Sequence, residues 1–265
     1  MPALQGNEAH IRRRLAPIAV VVLPLLVLLT VDARASNCGG AIGFGSDNVY
    51  RGISLGGGEP AWIVDAHCRV ADGWIAGAGA SRVLLAGRRP NLQLALYVDR
   101  AWQFDEDWSG KLGVVHYDAA HYGKRDGLRY DEVNAAFGYK AFWRVSVSVS
   151  PNASDLYFTN SIPPAGSESA SKSHWATSVE TTFHRPLIDR LAADAGLGLS
   201  IPEGKGESRY RYASVGLSYG IGDINLYVSR IWTDSISWEY TFLGDTFVMR
   251  QPSHADWVGT LVWAF

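Results

Sequence analysis

Six charged side chains, Asp47, Arg51, Asp99, Arg144, Glu180 and Asp194, stand inside segments that otherwise alternate between apolar and polar residues. Residues two apart on a strand share a face, so each charge can be assigned a side by counting from its apolar neighbours, and all six fall on the polar side. In "SDNVYRGIS", Asp47 and Arg51 lie four apart and share a face if one strand runs from 40 to 51. Opposite charges on a common polar face can brace one another in an ion-pair network. Around a lumen they can also form the constriction that sorts solutes.

Other residues carry different chemistry. Ser253-His254, His121 with Tyr122, and Ser173-His174 put a nucleophile or base near strand ends, as a hydrolase acting on lipids would need. None sits in a recognisable catalytic signature, and a loop histidine more often has no chemical role. Cys38 and Cys68 fall at the start of the first expected strand and near the end of the second. Antiparallel pairing of those strands brings both to one rim and one face, where an oxidising compartment favours a disulfide; the alternative is two free thiols. The sequence implies no metal and no cofactor.

The compartment follows from the first 35 residues. Arg12, Arg13 and Arg14 precede an apolar run from Ile18 to Val31, and Ala33-Arg34-Ala35 supplies small residues for cleavage. This is the pattern of a secretory signal peptide over 1–35. The run is shorter than the roughly 20 residues of a membrane-spanning helix. The remaining 36–265 read as one domain. Removing four basic and two acidic residues with the leader leaves 20 − 24 = −4, which gives no reason to expect nucleic acid as a partner.

The positioning elements are strands. "WRVSVSVS" sets Trp143, Val145, Val147 and Val149 against Arg144, Ser146, Ser148 and Ser150. Leu92, Leu94, Leu96 and Val98 oppose Gln93, Ala95 and Tyr97, and "LAADAGLGLSI" repeats the alternation with small residues on its polar side. Twelve such segments are expected near 40–51, 60–70, 74–84, 91–103, 109–120, 129–140, 142–150, 172–184, 191–202, 209–220, 223–236 and 254–265. Their connections alternate between short and long. Trp62, Trp74, Trp102, Trp143, Trp175, Trp232 and Trp263 cluster at strand ends, and the chain finishes "DWVGTLVWAF" with Trp257, Leu261, Trp263 and Phe265 on one face.

These features predict an all-β, antiparallel transmembrane outer-membrane β-barrel of about twelve strands, with short periplasmic turns and longer extracellular loops. A secreted soluble barrel or sandwich is the competing architecture. In the membrane reading the apolar parity faces lipid and the six charges face the lumen. Arg100 and Arg230 contradict the scheme by falling on the apolar parity, and His116 sits oddly in the fifth strand; rim positions or a register slip at a bulge would account for them. The long loops are basic at Arg88, Arg89, Lys124, Arg125, Lys205, Arg209, Arg211 and Arg250, a charge suited to lipopolysaccharide phosphates. The short turns are acidic at Asp72, Asp105, Glu106, Asp107 and Asp223. The stretch from Pro151 to Ser171 is long enough to fold into the lumen.

"SDNVYRGISLGGGEPAW" resembles the opening of a proteobacterial outer-membrane porin family of the TorF type, through Ser46, Asp47, Tyr50, Arg51, Gly52, Ile53, Ser54, Pro60 and Ala61. The next element of that family is similar to Gly73, Trp74, Ala76, Gly77, Ser81 and Val83 here, so the likeness covers roughly residues 41 to 104. Asn48 and Trp62-Ile63 depart from its pattern. The resemblance implies a barrel in the outer membrane with a porin's role. The expected function is passage of small hydrophilic solutes, and the expected partners are outer-membrane lipids, lipopolysaccharide, those solutes and the barrel-assembly machinery acting on the strand that ends in Phe265. A lipid-modifying enzyme and a structural or adhesive barrel without an open pore are the alternatives.

Overall fold

The computed structural model describes residues 37–85, 89–120, 129–154, 173–203, 209–242, 245–251 and 254–265, and the expected leader lies outside them. In chain order its strands are β1 (Cys38–Gly45), β2 (Val49–Tyr50), β3 (Ile53–Ser54), β4 (Ala61–Ala71), β5 (Trp74–Leu85), β6 (Arg89–Gln103), β7 (Trp108–Ala120), β8 (Tyr130–Tyr139), β9 (Trp143–Ser154), β10 (Ser173–Ile188), β11 (Leu191–Pro202), β12 (Tyr210–Ile221), β13 (Ile224–Thr233), β14 (Ile236–Phe242), β15 (Asp245–Gln251) and β16 (His254–Ala264). Twelve of them, β1, β4 to β13 and β16, form a closed antiparallel barrel. No helix occurs among the described residues.

Alternation sets the two surfaces. Across β8 and β9, Val133, Ala135 and Phe137 stand opposite Val149, Val147 and Val145, while Asn134 and Ala136 face Ser148 and Ser146 on the other side. The valine side is the outer one. Large apolar residues are exposed there, Leu96 at 60%, Leu197 at 58% and Val114 at 53%. A soluble barrel would bury such residues in a dry core, whereas here serine, glycine and charged groups point inward. That arrangement needs an apolar medium outside.

Tryptophan frames the apolar band. Trp74, Trp102 and Trp263 lie on the outer face near the short-turn end, and Trp175, Trp232 and Trp257 near the long-loop end. On β16, Ala255 is level with Trp232, and Trp263 is eight residues further. That is about 27 Å along a strand, or roughly 20 Å of height at the usual tilt, close to the apolar band of a membrane barrel.

The seam between β1 and β16 closes the barrel through Gly40 N–H to the Phe265 carbonyl at 2.9 Å and Phe265 N–H to the Gly40 carbonyl at 3.0 Å. The Phe265 ring lies where a side chain on residue 40 would go, since a Cβ there would meet it at 2.9 Å and the Asp65 carbonyl at 2.5 Å. Cys38 pairs with Cys68 across β1 and β4 and the two are joined by a disulfide on the outer face at the short-turn rim.

Several boundaries differ from the sequence expectation. The first strand stops at Gly45 rather than 51. Arg185 to Ile188, expected as a turn, continues β10, and the reversal falls at Asp189-Arg190 with Arg190 at φ +62°. The segment 237–253, expected as a loop, contains the hairpin of β14 and β15. The three misfit residues need no register slip. His116 faces outward and its Nδ1 lies 2.7 Å from Asp131, while Arg100 and Arg230 face outward among tryptophans. Gly40→Val should destabilise the seam by about 2 kcal/mol, read as a lower midpoint in urea unfolding followed by tryptophan fluorescence; an unchanged midpoint would show the seam has room.

Candidate functional site: a hairpin folded into the barrel

Beyond Gly45 the chain leaves the wall. Ser46 N–H donates to the Gly259 carbonyl at 2.8 Å, and the Asp47 carboxylate then accepts the Asn48 N–H at 2.7 Å, a local bond that favours turning over extension. β2 and β3 pair through Val49 with Ser54 and Tyr50 with Ile53, leaving Arg51 and Gly52 as the two turn residues at φ +50° and +77°. Two consecutive left-handed residues make the turn whose twist suits a tight hairpin. For arginine that conformation costs about 1 kcal/mol, so surrounding contacts must hold it.

Those contacts come from β8 across the barrel and from β13 and β5, each two strands from β1 on either side. Arg51 Nη2 lies 2.8 Å from Glu132 Oε2 on β8, with Glu132 buried and Arg51 largely enclosed, and the Tyr50 hydroxyl donates to the same carboxylate oxygen at 3.2 Å. Thr233 Oγ1 on β13 donates to the Gly52 carbonyl at 2.6 Å. Leu84 N–H on β5 donates to the Leu55 carbonyl at 2.6 Å, and Asn48 Nδ2 donates to the Arg82 carbonyl at 3.2 Å. Ile53 and Leu55 pack with Val83, Ala153, Ala176, Tyr210 and Tyr212 in a buried cluster inside the barrel. Burial of each aliphatic side chain contributes about 2 kcal/mol. Gly52 has no room for a side chain: its Cβ would stand 2.5 Å from Tyr212 Cβ and 2.6 Å from Thr233 Oγ1.

The electrostatics follow from enclosure. Burial opposes the Arg51 charge, but Glu132 and Tyr50 outweigh it and hold the guanidinium protonated. Burial pushes the Asp47 carboxyl above its ordinary range, against the opposing hydrogen bonds from Ser54 and from the backbone of Asn48, Gly58 and Gly56.

The six charges expected in the lumen divide between the wall strands and the hairpin. Asp99, Arg144, Glu180 and Asp194 stand on wall strands, whereas Asp47 and Arg51 are carried by the inserted hairpin and do not share a strand face. The premise that put them together failed because Arg51-Gly52 is a turn. The four wall residues are spread out. Asp99 pairs with Lys111 Nζ at 2.9 Å, Asp194 with His184 at 2.7 Å, and Glu180 accepts the Tyr212 hydroxyl at 2.8 Å. Arg144 lines a cavity of about 590 Å³ at the short-turn mouth, and a second cavity of about 420 Å³ lies against the hairpin beside Tyr50, Tyr97, Asp99 and Lys111.

Glu132 and Lys111, the partners of Arg51 and Asp99, were not among the expected site residues. Parity could have found Glu132, because Val133, Ala135 and Phe137 assign its alternate positions to the lumen. Of the residues considered for catalysis, Ser253, His121 and Tyr122 lie outside the described residues, while Ser173 and His174 open β10 and His254 opens β16. The loop from Pro151 to Ser171 enters the description only through 151–154, which extend β9. The loop seen inside the barrel is the first one.

No family model matches the chain, and no curated protein matches it. Among solved structures it is similar to the KdgM porin, at 8% identity over 86% of this chain and 99% of that one, with a TM-score of 0.46. It is similar to the NanC porin at 11% identity over 84% and 98%, with a TM-score of 0.49. Pseudomonas aeruginosa OprD is similar at 10% identity over 86% and 66%, with a TM-score of 0.40.

Arg51 gives the hairpin a built-in reporter, because trypsin cleaves after arginine only where the backbone is accessible. Limited trypsin digestion of the folded wild type, read by mass spectrometry, should leave the Arg51–Gly52 bond intact. Glu132→Gln, which strands a buried guanidinium at a cost of about 3 kcal/mol, and Gly52→Ala should both open cleavage after residue 51. Equal protection in all three proteins would mean that these contacts do not hold the hairpin.

Proposed function

We propose that this chain is an outer-membrane porin that passes small hydrophilic solutes through a lumen narrowed by its first loop. The observation that carries the reading is the inversion of surfaces: an apolar exterior framed by tryptophan, and an interior of serine, glycine and ion pairs with two cavities. Its short-turn end is periplasmic and its long-loop end extracellular in this reading. The likeness of residues 41 to 104 to porins of the TorF type supports the same assignment, and membership of that family is part of the proposal. Lipopolysaccharide at the basic loops, and the assembly machinery at the strand ending in Phe265, are the partners proposed with it.

Twelve strands enclose a narrower lumen than the 16 to 18 of general porins, and an inserted hairpin narrows it further. Asp47, Arg51, Asp99, Arg144, Glu180 and Asp194 are proposed as the charges a solute meets. A second reading, a barrel closed by its own hairpin, draws on the buried cluster around Ile53 and Tyr210, exposed by only 4% and 1%.

Single-channel recording in planar bilayers separates the two. Wild-type protein should give small, regular conductance steps, and replacing residues 47–58 by a short Gly-Ser linker should enlarge them several-fold. Steps from the linker variant alone would favour the closed barrel. Silence from both, with correctly folded protein, would remove the porin reading.

A further inference from the structure

The two arginines on the wrong parity occupy the same constellation at opposite ends of the barrel. Arg100 on β6 stands directly across from Trp74 on β5 and from Leu112 on β7, with Trp102 two residues further toward the rim. Arg230 on β13 stands directly across from Trp257 on β16 and from Val215 on β12, with Trp232 two residues further toward the other rim. The guanidinium carbons lie 5.3 and 5.8 Å from the rings of Trp74 and Trp102, and 5.4 and 5.8 Å from those of Trp257 and Trp232. Each cation is thus held between two indoles on the outer face.

Neither has a carboxylate partner among the described residues. Three other outward arginines near the long-loop rim do: Arg82 pairs with Glu59, Arg129 with Asp118 at 2.9 Å, and Arg211 with Asp234 at 2.8 Å. Depth separates the two groups. Arg211 lies four residues beyond Val215, the residue level with Arg230, which is about 14 Å further along the strand. Those three arginines, outside the tryptophan level, carry a counter-ion from the chain, and Arg100 and Arg230, at that level, do not. Indole rings supply cation–π attraction but no negative charge. A guanidinium facing lipid is tolerated near the interface and costly deeper. The anions available from the surroundings at that depth are headgroup phosphates, whose oxygens match the planar fork of an arginine.

We propose that Trp74, Arg100 and Trp102 at one end, and Trp232, Arg230 and Trp257 at the other, are clamps for the phosphate group of membrane lipids, one in each leaflet. The inference rests on the exterior meeting lipid and is independent of whether the lumen conducts. The repeated Arg-x-Trp then anchors the barrel at two depths, each ring pair fixing a guanidinium that the lipid neutralises.

The test uses the full-length folded protein in vesicles of phosphatidylglycerol, or of digalactosyldiacylglycerol with matched acyl chains and no phosphate. Native mass spectrometry after detergent extraction from phosphatidylglycerol should show two tightly retained lipids on wild type, one on Arg100→Gln or Arg230→Gln, and none on the double variant. The band-shift melting temperature should be higher for wild type in phosphatidylglycerol than in the galactolipid, with the difference lost in the double variant. Undiminished lipid retention or an undiminished difference in the double variant would overturn the proposal. So would rescue of the galactolipid samples by inorganic phosphate, which would mark a free-anion site. Failure of wild type to insert into either vesicle would instead sink the membrane reading, and the clamps with it.

Discussion

An apolar solvent offers no hydrogen bonds, so each unpaired N–H or C=O of a strand edge in contact with it costs several kcal/mol. The barrel answers by leaving no edge, with β1 pairing to both β4 and β16 and the last backbone bonds running between Gly40 and Phe265. Once the sheet is closed, every wall residue has only two directions to point. That binary choice makes the exterior a belt of leucine and valine and the interior a lining of serine, glycine and charge. It also makes an exception such as Arg100 visible at once.

Closure brings a second problem, because twelve strands leave a lumen too wide to fill with wall side chains alone. Much of the lining is small, with Gly39, Ala41, Gly43 and Gly45 on the inner face of β1 and Gly196 and Gly198 on β11. The first loop occupies part of the resulting space. It arrives with an arginine in a left-handed conformation, a glycine with no clearance and two aliphatic side chains, a combination that would be unfavourable in water. Glu132, Thr233 and the tyrosines of β12 supply the ion pair, the hydrogen bond and the apolar surface that offset those costs. Strain, charge and packing are therefore offset by one set of contacts with the wall.

The strand count, the parity of nearly every wall residue, the inward placement of Asp99, Arg144, Glu180 and Asp194 and the outward row ending in Phe265 could all be counted along the chain. Counting works there because an alternating segment in a closed sheet has one register that keeps charge off the apolar side. Arg100 and Arg230 were legible as anomalies, though not as a repeated arrangement, because their tryptophans Trp74 and Trp257 come from neighbouring strands.

The chain between Gly45 and Ala61 marks where counting stops. "VYRGIS" alternates well enough to continue a strand, and it also places an Arg-Gly pair between two β-forming dipeptides, as a hairpin would. Local preference does not separate the two. The partners that decide lie far along the chain, Glu132 for Arg51 and Thr233 for Gly52, and they meet the segment only after the wall has closed around it. Period and parity determined the wall, since those act between residues two apart. Tertiary structure alone decided what fills it, since a turn that is strained by itself becomes favourable only when distant residues complete its ion pair and its packing.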